Sequence, residues 1–346
     1  MKKVIKNIKY LSILSVLLLS FSIWSTSINA NDQGPVTFSI QAKIPDNQID
    51  KNLTYFDLRM QPEMKQTIQI EITNNSDVNI VSNIKINAAS TSTNGVIAYS
   101  IHGIKDKSMH ISIEDIAKVK TPQVTIEANA SKLVDIELTM PKEAYNGVLL
   151  GGIYVSGDVE EKSEEVKENG FEIENKIAYA LGLKLTQSDQ EVKANMNLVS
   201  IQPSLVAMRT AMDIQLQNSE AIIMKNVMID AQIYKKGSNT ILHSAKTTTA
   251  EVAPNSSFAF VVDWENQKIE PGKYRLKMRV EYKEDVWEWD EEFEIKEDQA
   301  SIINEEAIHI EDSFPIWAIV AIGIIIVAFV FFFAFILGKR SNKEKE

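Results

Sequence analysis

The chain has 346 residues, 36 of them Lys or Arg against 47 Asp or Glu, for a formal net charge of −11, and it contains no cysteine. The cysteine count excludes a disulfide framework, a zinc–thiolate site and a cysteine nucleophile, so stability must come from packing. The charge excludes a nucleic-acid binder that works by neutralising phosphate, and it disfavours adhesion to anionic lipid.

Residues 1–30 carry Lys2, Lys3, Lys6 and Lys9, then an apolar run from Leu11 to Trp24, then small polar residues ending in "SINA". This order predicts a secretory signal peptide cleaved after Ala30, because the apolar run is short for a hydrocarbon layer of about 30 Å. An exported chain without disulfides fits a Gram-positive surface better than a eukaryotic secretory route. Setting aside the four lysines of the signal, and four basic and two acidic residues in 314–346, leaves 28 basic against 45 acidic residues, a net −17. Such a surface serves solubility or attracts a basic partner, two readings that charge alone does not separate.

From residue 31 the signals are those of strands. In "QTIQIEITNNSD", Ile68, Ile70 and Ile72 alternate with polar residues before a turn, and "LVDIELTMP" repeats the device with Val134, Ile136 and Leu138. "SIEDIAK", Ser112 to Lys118, supports no more than one short turn of helix. "TYFDLRMQP" sets Tyr55 and Phe56 beside Asp57 near a bend. Aromatic rings stack on sugars and a carboxylate accepts hydroxyl hydrogen bonds, although corner aromatics also plug sandwich ends. In "YNGVLLGGIYV", Gly147 and Gly152 have the spacing of a phosphate-binding loop, but Ile153 and Tyr154 stand where its lysine and hydroxyl belong. The stretch is expected to be the final, buried strand of a first domain, with Gly151 and Gly152 leaving room for a close neighbour, either a second domain or a ligand.

A charged segment around residues 159–170 divides a first β-sandwich at 31–158 from a second at 171–296. "MDIQLQN" and "YRLKMRVEY" repeat the strand alternation in the second half. The order of turn, strand, bend, glycine and strand from Ile126 recurs from Ala250, which suggests two related domains. Short strands between regular turn signals predict an all-β chain of two tandem immunoglobulin-like sandwiches. In "VWEWDEEFEIK", Trp287, Trp289, Phe293 and Ile295 share one strand face. Glu288, Asp290, Glu292 and Glu294 share the other, either shielding an edge strand or offering an acidic docking stripe.

Residues 297–314 are expected to be a stalk. Ile316 to Leu337 contains no charge and is followed by Lys339, Arg340, Lys343 and Lys345, which predicts one C-terminal transmembrane helix over 315–338 and a cytoplasmic basic tail at 339–346. Pro315 and Trp317 would mark the outer interface, with Lys339 and Arg340 at the inner one. The four histidines have no ligand spacing and are expected to be solvated. No serine nucleophile elbow or calcium loop occurs, so no cofactor is expected. Carboxylate pairs for glycoside cleavage can arise from residues distant in sequence, so a wall-modifying hydrolase with a dispersed carboxylate site is the alternative.

The segments "YFDLRMQPEMKQTIQIEITNNS", "NGVIAYS", "MPKEAYNGVLLGGIYV", "IAYALGLKLTQ", "VAPNSSFAFVVDW" and "EPGKYRLKMRV", in this order and before the terminal span, resemble the WxL-interacting protein family of Gram-positive bacteria. The resemblance covers nearly the whole chain. It implies a peptidoglycan-binding domain, then a host-binding domain, in a non-enzymatic surface protein that holds WxL-domain proteins at the wall and has host matrix proteins as a further ligand class. One departure is Glu63, where the family's Pro-Gly turn has glycine. None of the five tryptophans is followed two residues later by leucine, and no LPxTG signal occurs, so the chain would be the membrane-fixed partner of such proteins.

Overall fold

A computed structural model describes residues 38–103, 105–159, 177–308 and 322–329. The structure is built on strands, because the alternating sequences bury every second side chain. Residues Phe38–Lys43 (β1), Lys65–Asn74 (β3), Ser131–Thr139 (β9) and Ala117–Val119 (β7) form one sheet, in the order β1-β3-β9-β7. Facing it, Phe56–Arg59 (β2), Ile177–Thr186 (β11), Val148–Val159 (β10), Ile80–Ala88 (β4) and Gln123–Ile126 (β8) form a second sheet, in the order β2-β11-β10-β4-β8. Ile68, Ile70 and Ile72 of β3, and Val134, Ile136 and Leu138 of β9, meet Ile84, Ile153, Leu183 and Leu185 in one core. The short helix α1, Ile113–Ile116, is capped by the Ser112 hydroxyl accepting from the Glu114 N–H, and it buries both isoleucines.

A second core lies between two further sheets. One runs β12-β13-β16, from Met196–Val206 (β12), Arg209–Asn218 (β13) and Ser256–Asp263 (β16). The other runs β15-β14-β17-β18, from Ile241–Val252 (β15), Met224–Lys235 (β14), Gly272–Tyr282 (β17) and Asp285–Ile295 (β18). The two units share connectivity: β3 and β9 correspond to β13 and β16, while β8, β4, β10 and β11 correspond to β15, β14, β17 and β18. The strand-turn-strand repeat seen in sequence from Ile126 and Ala250 falls on these equivalent strands.

Several sequence expectations need correction. Strand β11, expected in the second domain, pairs with β10 on one side and with β2 on the other, so it belongs to the first unit. Strand β10 is therefore central, not terminal. The close neighbours of its glycines come from the same unit: a Cβ on Gly151 would meet Ile113 at 2.3 Å, and one on Gly152 would meet Tyr99 at 2.6 Å. The stalk begins as helix α2, Glu297–Glu306, which buries Ala300, packs Ile303 on the second core and has Asn304 bonded to both the N–H and the C=O of Ile269. Glu63 does adopt φ 60°, the left-handed conformation that glycine occupies most freely.

The two units are joined by contacts as well as by chain. Residues Ser90–Thr91 (β5) and Ile97–Ala98 (β6) form a hairpin on the first unit, and the Thr91 hydroxyl accepts from the buried Ala253 N–H at 2.9 Å. Leu150, Ala89 and Ala253 pack together beneath that bond. Asp106 accepts from the Ser257 hydroxyl at 2.5 Å and the Gln217 amide at 2.7 Å. Gly147 stands at φ 89° so close to the second unit that a Cβ would lie 2.2 Å from the Ala221 carbonyl oxygen.

The signal segment, the charged segment at 160–170, Pro315, Trp317, Lys339 and Arg340 lie outside the described residues. Residues 322–329, within the expected span, form a helix (α3) with exposed isoleucines and Phe329. Among the described residues no helix is long and apolar enough to cross a membrane.

Candidate functional site

The "TYFDLRMQP" segment leads into β2, where successive side chains point to opposite sides of the sheet. The three consecutive candidates therefore part company. Phe56 is fully buried in the first core beside Leu58, so it is not available to stack on a sugar. Tyr55 and Asp57 remain together on the outer face. Gln48, itself buried, fixes this stretch: its amide donates to the Tyr55 and Asp50 carbonyls, and its oxygen accepts from the Asp57 N–H at 3.0 Å.

The floor beside them is made by two glycines. Gly152 of β10 and Gly182 of β11 are direct cross-strand partners, and the space above them is taken by the Tyr99 and Tyr55 side chains. Tyr99 lies against Gly152, its main chain held by the Asn87 amide donating to the Tyr99 carbonyl at 2.6 Å. Tyr55 rests beside Gly182 at ordinary contact distance, 3.5 Å. Burial, then Tyr55 and Glu251, push the Tyr99 phenol up to about 12, while burial and then the Asp57 and Asp50 charges raise that of Tyr55. Both remain neutral donors near neutral pH.

Asp57 is 5% exposed. One carboxylate oxygen, Oδ2, accepts from Lys184 Nζ at 3.0 Å. The other, Oδ1, is buried and has no hydrogen-bond partner among the described residues. A buried acceptor without a donor costs about 1–3 kcal/mol, so its retention calls for an explanation. Sequence reasoning named Tyr55 and Asp57 as candidates; Tyr99, Gly182 and Lys184 come beside them only through the sheet register.

Glu288, Asp290, Glu292 and Glu294 of β18 do share one outward face, but three of the four are paired with cations. Arg279 donates to Glu288, Arg275 to Asp290, and Lys236 to Glu292 at 2.6 Å. The Arg275 hydrogen bond holds the Asp290 carboxyl below its usual value. Trp287, Trp289 and Phe293 pack partly buried on the second core, and β18 is an edge strand with Glu288, Asp290 and Glu292 matched by nearby cations. His243 departs from the solvated expectation. It is 4% exposed, stacks on Trp264 with ring centroids 4.2 Å apart, and has no hydrogen bond from either ring nitrogen among the described residues.

Between the units lies a cleft of about 510 Å³, lined by His110, Tyr145, Asn146, Glu191, Glu220 and Asn255 among others. Tyr145 is tied down there by donating its hydroxyl to the Leu185 carbonyl at 3.1 Å. Among the described residues no group of three or more His, Asp or Glu side chains gathers as metal ligands would.

Two β-units, each a pair of sheets around its own core, make a protein of layered β architecture. Its family follows from two matches in tandem: the peptidoglycan binding domain of the WxL Interacting Protein over residues 38–157, and the host binding domain over 168–305. The chain belongs to the WxL-interacting protein family and is a cell-surface binding scaffold. No curated protein shows significant similarity to it. Among solved structures it is similar to the YadV chaperone, with 7% identity, 75% of this chain and 100% of that chain covered, and a TM-score of 0.28. It is also similar to the E. coli chaperone DraB, with 10% identity, coverage of 75% and 98%, and a TM-score of 0.28. A PapD-like domain of human CEP192 matches at 11% identity, covering 45% of this chain and 87% of that domain, with a TM-score of 0.27. Likeness at these TM-scores carries no functional argument.

Proposed function

We propose that the chain is a non-enzymatic scaffold of two immunoglobulin-like sandwiches, held in the membrane by a single C-terminal span with its amino end outside. The first unit binds peptidoglycan; the second is presented to WxL-domain proteins and to host matrix. The observation that carries this reading is the tandem order of the two binding-domain matches along one chain. The uncharged run from Ile316 to Leu337, followed by Lys339 and Arg340, supports the anchor. The −17 surface supports capture of a basic partner, with complementary charge speeding encounter more than it strengthens the complex.

Incubating the purified full-length chain with cell walls tests the reading. Retention on the wall without released muropeptides is the expected result; released muropeptides would establish the hydrolase instead. Added protease should strip the two units from protoplasts, and a chain left intact while a surface control is digested would refute the topology.

A further inference from the structure

We propose that the tip of the β12–β13 hairpin, Val206 to Met208 with Ile308 beside it, is a membrane foot that seats in the headgroup layer of the bilayer holding the C-terminal span. The proposal rests on the membrane-anchor reading and says how the second unit meets that membrane.

Two independent features point there. The first is the choice of residues at the turn. Val206 pairs with Arg209, so Ala207 and Met208 form a two-residue loop, and their φ angles are 49° and 62°. Positive φ at both positions selects Asn-Gly, and alanine or methionine there strains the backbone. Every other non-glycine residue with positive φ among those described is asparagine, glutamate or lysine. Val206, Ala207 and Met208 are nevertheless all exposed. Turn geometry does not explain this apolar tip, whereas contact with an apolar medium does.

The second feature is where the chain leaves. The Ile308 N–H donates to the Met208 carbonyl at 2.9 Å, so the polypeptide departs from the second unit at this tip, with the Ile308 side chain also exposed. Seven steps along the chain lead from Ile308 to Pro315, the outer boundary of the expected span, a reach of at most about 25 Å. The tip is therefore held near the bilayer surface.

The backbone permits the contact. Strand pairing runs up to Val206 and Arg209, and Ile308 takes the Met208 carbonyl, so little unpaired main chain would enter the interface. Charge says what kind of contact it is. The Thr210 hydroxyl donates to the Gln267 carbonyl, which brings the β16–β17 loop to the same end of the unit. Arg209 there pairs with Asp263 at 3.9 Å and Lys235 with Glu270 at 2.5 Å, while Lys268 balances Glu265. Glu305 and Glu306 at the end of α2 leave a small negative excess, so the attraction comes from apolar burial and not from anionic lipid.

The chain has no cysteine, so a single introduced one can carry a probe. Full-length Met208→Cys, labelled with an environment-sensitive fluorophore, is reconstituted in phosphatidylcholine nanodiscs containing headgroup-nitroxide lipid, with and without phosphatidylglycerol. Glu284→Cys, exposed just past the far end of the 11-residue β17, is the control. Quenching should be severalfold stronger at 208 than at 284, and about as strong in either lipid. A second arm combines Ala207→Asn with Met208→Gly and reads a label at Val206→Cys. Relief of strain should raise the melting temperature by a few degrees, while lipid quenching at 206 falls severalfold.

Equal quenching at 208 and 284 overturns the foot and leaves the span, as does unchanged quenching at 206 in the Asn-Gly variant. Quenching that requires phosphatidylglycerol overturns the apolar contact. A label at 208 that shifts to the blue without lipid quenching assigns the tip to a second copy of the chain and overturns the lipid surface. Failure of the chain to co-elute with nanodiscs removes the anchor reading itself, and the foot falls with it.

Discussion

Gly152 and Gly182 face each other across β10 and β11, yet alanine should have opposite effects at the two positions. At Gly182 the new Cβ would sit 3.5 Å from Tyr55, an ordinary contact, and the φ angle suits any residue. Reduced freedom of the unfolded chain should then stabilise the protein by about 0.4–1 kcal/mol. At Gly152 the Cβ would come within 2.6 Å of both Cβ and Cγ of Tyr99. Tyr99 cannot easily withdraw, because its carbonyl is bonded to Asn87 and its ring packs beside the Leu150 and Ala253 cluster. Overpacking of this kind costs about 1–3 kcal/mol, which outweighs the gain in the unfolded state and leaves Gly152→Ala clearly destabilised. Guanidinium unfolding of residues 31–313, followed by tryptophan fluorescence, would measure both variants. A double mutant with Tyr99→Ala should recover most of the loss, giving a coupling of about 1 kcal/mol or more. Equal midpoints for Gly152→Ala and Gly182→Ala would refute the close approach of Tyr99 to the sheet.

Other consequences can be measured in the same way. Burial holds His243 below its ordinary value of 6.5, against the weaker pull of Glu265 and Asp263, so the folded state binds fewer protons than the unfolded one. Its contribution is whole above pH 6.5 and lost as the pH falls; His243→Phe should flatten the stability profile there, and an unchanged slope would contradict it. Burial raises Asp106, but hydrogen bonds from Ser257, Ser108 and Gln217 outweigh it and hold the carboxyl below 3.8. That stability is present above pH 3.8 and lost as pH falls through the lowered value, so Asp106→Asn should remove an acid-side step seen in wild type. Thr91→Val leaves the buried Ala253 N–H without its acceptor and should cost about 1–3 kcal/mol; a loss too small to measure in the unfolding midpoint would show that the hairpin does not bind the units together.

What sequence could reveal was local. Alternation placed Ile68, Ile70, Ile72, Val134, Ile136 and Leu138 on inward faces, and all six are buried. The single turn of helix after Ser112 was legible from the shortness of its segment, while its cap was not. Register was not legible, because it depends on strands far apart in sequence. The cations that answer Glu288 and Asp290 lie across the sheet on β17, and Lys184 reaches Asp57 over 127 positions. Grouping Tyr55, Phe56 and Asp57 as one site treated neighbours in sequence as neighbours in space, which the pleat of β2 forbids. His243 looked solvated because a lone histidine in a polar strand gives no sign of a tryptophan folding over it.

The return of β11 to the first unit has a consequence for how the molecule comes into being. The two family matches meet between residues 157 and 168, yet every strand that pairs with residues 177–186 lies before that junction. A fragment ending at 157 would present two open strand edges on β10 and β2 and lack Leu183 and Leu185 from its core, while the complementary fragment would carry ten residues with nothing to pair. The halves recognised by descent are thus not the halves that can be inherited or exchanged as finished pieces. In a chain delivered amino end first, the first core stays unsealed until residue 186 has emerged, and only then does the second unit begin to take shape against it.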